Sequence, residues 1–328
     1  MVRDASAHAI ALRSPRLSLT LADQARDGEL CLAVDIGGTK MAVGLVDRQG
    51  VIVWEDRVRT PLATDGDALF RVLADLVEIA VGAAAARGEV VACGVGCGGP
   101  MTLGGESVSP LNIPAWRGFP LRDRLADVLQ GYAATRGVGL QVDNDAKALA
   151  LGEGWLGAAK GERNYLAMVV STGVGGGIVL GGRLLGGATG NAGHIGHVIV
   201  EPDGRACACG ARGCLEAEAS GTAIARATGA PAEAASAEVI ERTGLLVGRA
   251  VGSVANLLDL RLAVVAGSVA LGFGTRFFLA AQREVDRVAR LSFSSGCRLE
   301  PAGLDEGGPI VGAAALGWGR LVAGVPAS

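Results

Sequence analysis

The sequence has no dense stripe of lysine and arginine: 30 basic and 33 acidic residues leave a formal net charge of −3. That balance argues against an extended nucleic-acid-binding surface, which needs clustered positive charge. Long apolar runs are missing too. The longest nearly apolar stretch, Leu262 to Gly274, falls short of the roughly 20 residues that a membrane helix needs. The first 28 residues lack the apolar centre of a secretory signal. The expectation is a cytoplasmic protein that engages neither nucleic acid nor membrane. Charged residues are only 19% of the chain and hydrophobic ones 50%, a balance that excludes extensive disorder. A chain of 328 residues is long enough for a sizeable core, as two domains or one large one.

Glycine is what the chain has in plenty. Its 52 glycines are scattered through apolar segments without a period, which suits tight turns and close backbone approach to a ligand. Four of the seven cysteines, Cys31, Cys93, Cys97 and Cys297, stand alone and read as small core residues. Cys207, Cys209 and Cys214 are clustered instead, and a reduced cluster points to a metal rather than to disulfides.

Residues 1–28 read as a mobile or loosely docked arm. The patterning then predicts strands at Leu30–Ile36, Met41–Val46 and Val51–Val58, and an amphipathic helix over Asp65–Gly88. A strand at Val90–Gly96 and a long Gly/Pro/Ser loop follow. A helix runs from Pro120 through Gln130, and a strand ends at Val142 just before Asp143-Asn144-Asp145. Ala146–Trp155 continues as a helix. The second half repeats the plan: a strand at Tyr165–Val170, a glycine turn over Ser171–Gly177, and a returning strand at Ile178–Leu180. VDIGGTKMAVGLV and VVSTGVGGGIVLG share the order of strand, glycine hairpin, strand, a weak internal duplication that implies two related α/β lobes around a cleft. A strand at Leu262–Ala266 and a helix over Gly274–Arg290 complete the second lobe. The segment Pro309–Val325 reads as a helix that packs back on the first.

Two glycine hairpins carry the first chemical signal. In Asp35-Ile36-Gly37-Gly38-Thr39-Lys40, glycines let backbone N–H groups approach phosphate oxygens, and Thr39 adds a hydroxyl donor. Asp35 at a strand end is placed to hold Mg2+ through water. Lys40 adds positive charge or is simply a solvated strand residue. Ser171, Thr172, Gly173 and Gly175 repeat the chemistry in the second half. Neither hairpin has the spacing of a P-loop or of a dinucleotide fingerprint. As a pair in matching places they fit the gripping of a polyphosphate from both sides.

These residues resemble the ROK family of repressors, open reading frames and kinases. The resemblance runs from about Leu30 to the C-terminus, through DIGGTK at 35–40, NDA at 144–146, STGVGGG at 171–177, GNAGHIGH at 190–197 and CACGARGCLE at 207–216. It implies an actin-like (ribonuclease H-like) two-lobed α/β ATPase fold with duplicated lobes. The small lobe spans 29–143, completed by a helix within 309–328, and the large lobe spans 144–308. It also implies an ATP- and Mg2+-dependent sugar kinase of glucokinase type, with a small-molecule sugar as its partner and a homodimer or higher homo-oligomer as its assembly. A sugar-responsive regulator and a catalytically silent sugar sensor are the alternatives. The short segment ahead of DIGGTK leaves little room for a winged helix.

Asn144 and Asp145 sit where a strand gives way to a helix, and helix capping is the plain reading of such residues. The resemblance makes Asp145 the catalytic base and Asn144 a ligand of the sugar hydroxyls. Asn112, by itself a turn residue between prolines, is implied to reach the sugar, with Trp116 at the rim. Glu216, otherwise a solvated surface acid, is implied as a sugar ligand. Gly267 and Ser268 form a turn expected near adenine. His197, Cys207, Cys209 and Cys214 form H-x9-C-x-C-x4-C, four ligands for a closed, structural Zn2+ site. The resemblance places that zinc beside the sugar-binding loop, with a second nitrogen of His197 facing the sugar or a carboxylate. His194 departs from the family, where many kinases carry Glu. An imidazole offers one donor and one acceptor in place of two acceptors, so glucose is not assured as substrate.

Overall fold

The computed structural model describes residues 28–62 and 65–319. The expected N-terminal arm at 1–28 lies outside the described residues except for Gly28, as do residues 320–328 of the expected C-terminal helix. The first half contains β1 (Glu29–Ile36), β2 (Lys40–Asp47), β3 (Ile52–Arg59), α1 (Gly66–Ala84), β4 (Glu89–Cys97), α2 (Leu121–Gly131) and β5 (Gly139–Asn144). The second half follows with α3 (Asp145–Trp155), β6 (Tyr165–Val170), β7 (Val174–Leu180), β8 (Arg183–Leu184), α4 (Leu215–Ala219), α5 (Gly221–Thr228) and α6 (Ala237–Leu258). It closes with β9 (Leu262–Ala266), α7 (Ser268–Val288), β10 (Arg298–Pro301) and α8 (Gly308–Gly317).

The strands form two five-stranded sheets, ordered β3-β2-β1-β4-β5 and β10-β9-β6-β7-β8. In each, the first two strands of the half form an antiparallel hairpin, the third extends it antiparallel, and the last two join on the other side in parallel. The two sheets therefore share one topology, which the paired glycine hairpins had hinted at. β1 and β6 are apolar along nearly their whole length because helices cover both faces of their sheets.

On the first sheet, Leu69, Leu73, Leu76, Val77 and Ala80 of α1 face the core, together with α2 and the 101–121 loop. α8 covers the opposite face through Ile310, Ala313 and Ala314. On the second sheet, α6 and α7 cover one face and α3 the other. α3 and α8 thus form a middle layer between the sheets, where they cross closely. A methyl group at Gly152 would meet the Gly312 Cα at 3.0 Å, so neither position tolerates a side chain without parting the helices. Glu153, fully buried on α3, secures this junction. Its carboxylate accepts from the backbone N–H groups of Ala158 (2.8 Å), Gly303 (3.0 Å) and Leu304 (3.0 Å).

Three expectations shift. The second glycine turn is shorter than its glycine content implied, because β7 begins at Val174 and takes up Gly175–Gly177. Helical structure on the last long helix begins at Ser268 rather than Gly274. Gly274 is instead an internal break, with φ of +59°. Trp116 is not at a rim. It is fully buried, stacked on Phe119 at 4.7 Å, and its indole N–H donates to the Gly66 carbonyl. Its apolar area is worth more in the core than at a wet edge.

Candidate functional site

The first hairpin closes with the Gly37 N–H donating to the Lys40 carbonyl at 3.0 Å. Thr60 braces it, its hydroxyl donating to the Gly37 carbonyl at 2.7 Å and its N–H to the Thr39 carbonyl at 3.0 Å. Gly38, Thr39 and Lys40 stay exposed at its tip. Gly38 is glycine for contact reasons: a Cβ there would lie 2.6 Å from the Asn112 Cβ. The 110–116 loop thus rests on the hairpin and holds Asn112 over it.

The second hairpin, Ser171–Gly173, closes with the Ser171 N–H donating to the Gly173 carbonyl. The carbonyls of Ser171 and Thr172 are taken by Gly221 N–H and the Thr222 hydroxyl at the start of α5. The Ser171 hydroxyl lies 2.9 Å from that of Ser268, so the Gly267–Ser268 turn borders this hairpin. Gly267 has φ of +100°, and a Cβ there would strike the Val170 carbonyl at 2.3 Å. Gly175 does another job than the tip residues. It faces α3, where a Cβ would lie 3.1 Å from the Ala146 Cβ, and the lack of one lets helix and strand pack closely.

At the β5–α3 junction, the Asn144 side chain caps the helix by accepting the Ala146 N–H at 3.0 Å. Asp145 Oδ1 accepts the same N–H at 2.8 Å, and the residue's own backbone N–H is a second donor to the carboxylate. Asp145 is open to water along the cleft but walled by protein. Burial raises its carboxyl above the ordinary carboxylate range, while the Ala146 N–H opposes that rise. Asp35 is 9% exposed, and Asp35 Oδ1 and Asp145 Cα flank the same edge of Gly96. Burial first, then the negative Asp145, push its carboxyl up to about 7, with Lys40 pulling the other way. The Asp35 carboxylate makes no hydrogen bond among the described residues, and an orphaned buried carboxylate of this kind fits a cation neighbour.

That arrangement has a measurable consequence for the ligand-free protein. The folded-state carboxyl of Asp35 lies above its unfolded value of 3.8, so its ionisation opposes folding. The penalty is absent below about pH 4, grows as pH rises toward 7, and is fully present above. The Asp35→Asn variant is therefore expected to melt above the wild type at pH 8, with the gap closing toward pH 4. Thermal melts without nucleotide or Mg2+ check it, and a gap independent of pH would exclude a strained Asp35.

The side chains expected on the acceptor side come from both halves of the chain. Glu216 on α4 accepts the Val174 N–H at 2.9 Å through Oε2. A Cβ at Gly173 would lie 2.8 Å from that oxygen and 3.6 Å from Asn112 Nδ2, so Asn112 and Glu216 converge over the hairpin. His194 and Asn144 converge over Gly99, whose Cβ would lie 3.3 Å from His194 Cε1 and 3.1 Å from Asn144 Nδ2. Burial, then His197 and Lys147, hold the His194 imidazole below its usual range, so it is neutral near pH 7. Two residues of this region have no signal in the spacing. Lys147, 2% exposed, bridges Asp143 at 3.2 Å and the Gly190 carbonyl at 2.6 Å. Asn191 clasps the backbone of Met101 across the cleft, accepting from its N–H and donating to its carbonyl.

His197, Cys207, Cys209 and Cys214 bring their ligand atoms within 4.8 Å of one another. Cys209 Sγ lies 3.7 Å from Cys214 Sγ, and Cys207 Sγ lies 3.7 Å from His197 Nδ1. Tetrahedral Zn2+ with Zn–S of about 2.3 Å spaces neighbouring sulfurs by about 3.7 Å, so this donor set fits the ion. Burial, and then the neighbouring thiols, push Cys214 up to about 12, and ionising all three thiols in this space calls for a cation among them.

Two sheets of one topology, clasped by α3 and α8 with acidic strand ends facing a cleft, define the actin-like two-lobed ATPase fold. The chain belongs to the ROK family, whose pattern it matches over residues 31–319. It is 40% identical over 201 residues to the glucokinase of Thermotoga maritima, a match that covers 60% of this chain and 58% of that protein. It is 34% identical over 277 residues to the N-acetylmannosamine kinase of Citrobacter koseri, covering 79% of this chain and 91% of the other. The structure of a ROK family glucokinase from Streptomyces griseus, in complex with glucose and AMPPNP, superposes with a TM-score of 0.74. It is 29% identical, over 89% of this chain and 100% of that one. No helix among the described residues is long and apolar enough to cross a membrane.

Proposed function

We propose that the protein is an ATP-dependent sugar kinase in which Asp145 is the general base. The observation that carries this reading is the Asp145 carboxylate, bonded only to backbone N–H groups among the described residues and set beside Asn144, with His194 meeting Asn144 over Gly99 and Asn112 meeting Glu216 over the hairpin residue Gly173. Phosphoryl transfer to a hydroxyl asks little covalent chemistry of a protein and much positioning. Asn112, Asn144, His194, Glu216 and the free nitrogen of His197 orient the acceptor hydroxyls. Asp145 accepts the proton of the attacking hydroxyl, the 6-hydroxyl of a hexose by family precedent. Main-chain N–H groups at Gly38, Thr39, Thr172 and Gly173, with the hydroxyls of Thr39, Ser171 and Thr172, hold the phosphates, while the Gly37 and Ser171 N–H groups close the two hairpins. Lys40 adds positive charge, and the Gly267–Ser268 turn sits on the adenine side. Mg2+, when bound, neutralises phosphate charge, and Asp35 is the residue that would hold it. The His197–Cys214 cluster would hold Zn2+ as a structural brace. Unpaired thiols at all seven cysteines fit a reducing, cytoplasmic setting.

The relatives named above are a glucokinase and an N-acetylmannosamine kinase, and the S. griseus protein was solved with glucose and AMPPNP. A coupled ADP-release assay over hexoses, amino sugars, N-acyl sugars and cyclitols tests the reading. Turnover with one of these is expected; none, with a sugar still bound, would favour the regulator or sensor. Position 194 is expected to set the choice. His194→Glu restores two acceptors and is expected to raise kcat/KM for glucose about tenfold or more, in the range of a site built to bond hydroxyls. An unchanged ranking of sugars across the panel would remove His194 from substrate selection.

A further inference from the structure

Several backbone bonds of the loop that carries the cysteine cluster stay inside it, so its attachment to the rest of the lobe is concentrated at its two ends. Cys207 N–H to Ala211, Gly210 N–H to Cys207 and Gly213 N–H to Arg205 all close within the loop. Attachment at one end comes from Val200 and Glu201, whose N–H groups donate to the Gly213 carbonyl. Arg249 on α6 fixes that end by donating to the Val200 carbonyl at 2.7 Å and to the Glu201 carboxylate.

The other attachment is a single residue, Glu218, whose backbone carbonyl also accepts from Arg205 Nη1 at 3.3 Å. Glu218 on α4 is 3% exposed and uses both oxygens. Oε1 accepts the Arg205 N–H at 2.6 Å. Oε2 lies 3.2 Å from Arg205 Nη1 and 3.1 Å from Arg242 Nη2. Arg242 and Arg249, seven residues apart, fall on one stripe of α6 and clamp the two ends of the loop. Glu216 is two residues from Glu218 on the same five-residue helix, whose N-cap is the metal-cluster residue Cys214. A helix of one turn moves as a unit. Whatever holds Glu218 therefore also sets where the Glu216 carboxylate meets the Val174 N–H.

We propose that Glu218 is a positioning residue: it locks the metal loop onto α4 and α6 and thereby fixes Glu216 in the acceptor site. The link to the acceptor rests on the role proposed above for Glu216. Removing the charge leaves two guanidinium groups facing a neutral partner, whereas a buried ion pair with intact hydrogen bonds is rigid. Glu218→Gln keeps the shape and an acceptor for the Arg205 N–H. Arg242→Met removes one partner from a half-exposed position and guards against a Glu218 variant that does not fold.

Hydrogen exchange of zinc-loaded protein, with acceptor kinetics alongside, tests the proposal. In Glu218→Gln, exchange over 204–214 and at the Val174 amide is expected to rise about tenfold. KM for the acceptor is expected to rise about tenfold, with KM for ATP and kcat within about twofold, and Arg242→Met moves both the same way. Unchanged exchange in the loop overturns the lock, and a looser loop with unchanged acceptor KM overturns the positioning of Glu216. If the wild type phosphorylates no sugar of the panel, the kinase reading fails separately. Exchange at Val174 then decides by itself, faster exchange supporting the link and unchanged exchange rejecting it.

Discussion

The Asp145→Asn variant is expected to turn over ATP on the order of a thousandfold more slowly than the wild type while still binding its acceptor sugar. An amide oxygen can accept the Ala146 N–H as Oδ1 does now, and Asn144 remains the helix cap. The fold at the β5–α3 junction should therefore survive. What the amide cannot do is take the proton of the attacking hydroxyl. Because burial raises the Asp145 carboxyl, the wild-type rate should fall on the acid side at a pH above the ordinary carboxylate range. The sign follows from the role, since the base works only when ionised. The variant should lose that acid limb along with its rate. Calorimetric binding of glucose and N-acetylmannosamine, with ADP release at several pH values, separates the two effects. More than a tenth of wild-type turnover in the variant would falsify the assignment of the base.

Replacing Cys214 is expected to produce the largest change in stability. Cys214 is the most buried of the four ligand residues and sits where the loop enters α4. Cys214→Ser removes a thiolate from a four-ligand set, and a structural zinc site contributes directly to folding. Zinc bound to the purified protein should drop from about one equivalent to near none. The melting temperature should fall by roughly 2–4 °C for each kcal/mol lost, or less for a chain of this length. Removing the metal from the wild type with a chelator should reproduce most of the fall and change the variant little. A wild type without zinc, or a variant that keeps both zinc and stability, would remove the metal from the account.

The sequence made most of the strands, the start of α3 and both hairpins legible because each depends on neighbours a few residues away, whereas β8, β10 and α4–α6 were not anticipated and α7 was expected to begin at Gly274 rather than Ser268. Alternating or continuous apolar runs set β1, β2, β4 and β6, and the Asx chemistry of Asn144-Asp145 marked the start of α3 within one residue. Cluster spacing was legible too, since Cys207, Cys209 and Cys214 lie within one short loop. Trp116 was misplaced because no local signal tells a buried indole from one at a rim. Gly175 looked like its neighbours in the turn, yet it is a packing position against α3. The segment 215–258, with its three helices, carries Glu218, Arg242 and Arg249, whose pairing partners lie 13 to 49 residues away and leave no periodic trace.

By itself the sequence determined the duplicated hairpins, the carboxylate at the head of α3, and a thiol and imidazole set of the right number for one tetrahedral ion. Those are local facts of turn geometry, helix capping and ligand count. Only the tertiary structure brought Asn112 to Glu216 over Gly173, and His194 to Asn144 over Gly99. It also left the Asp35 carboxylate without a hydrogen bond beside Asp145, and set two arginines on one stripe of α6 against Val200, Glu201 and Glu218, the residues that flank the cysteine loop. The reason is that burial and charge coupling depend on distances in space. The two sheets fix those distances only once α3 and α8 have packed between them.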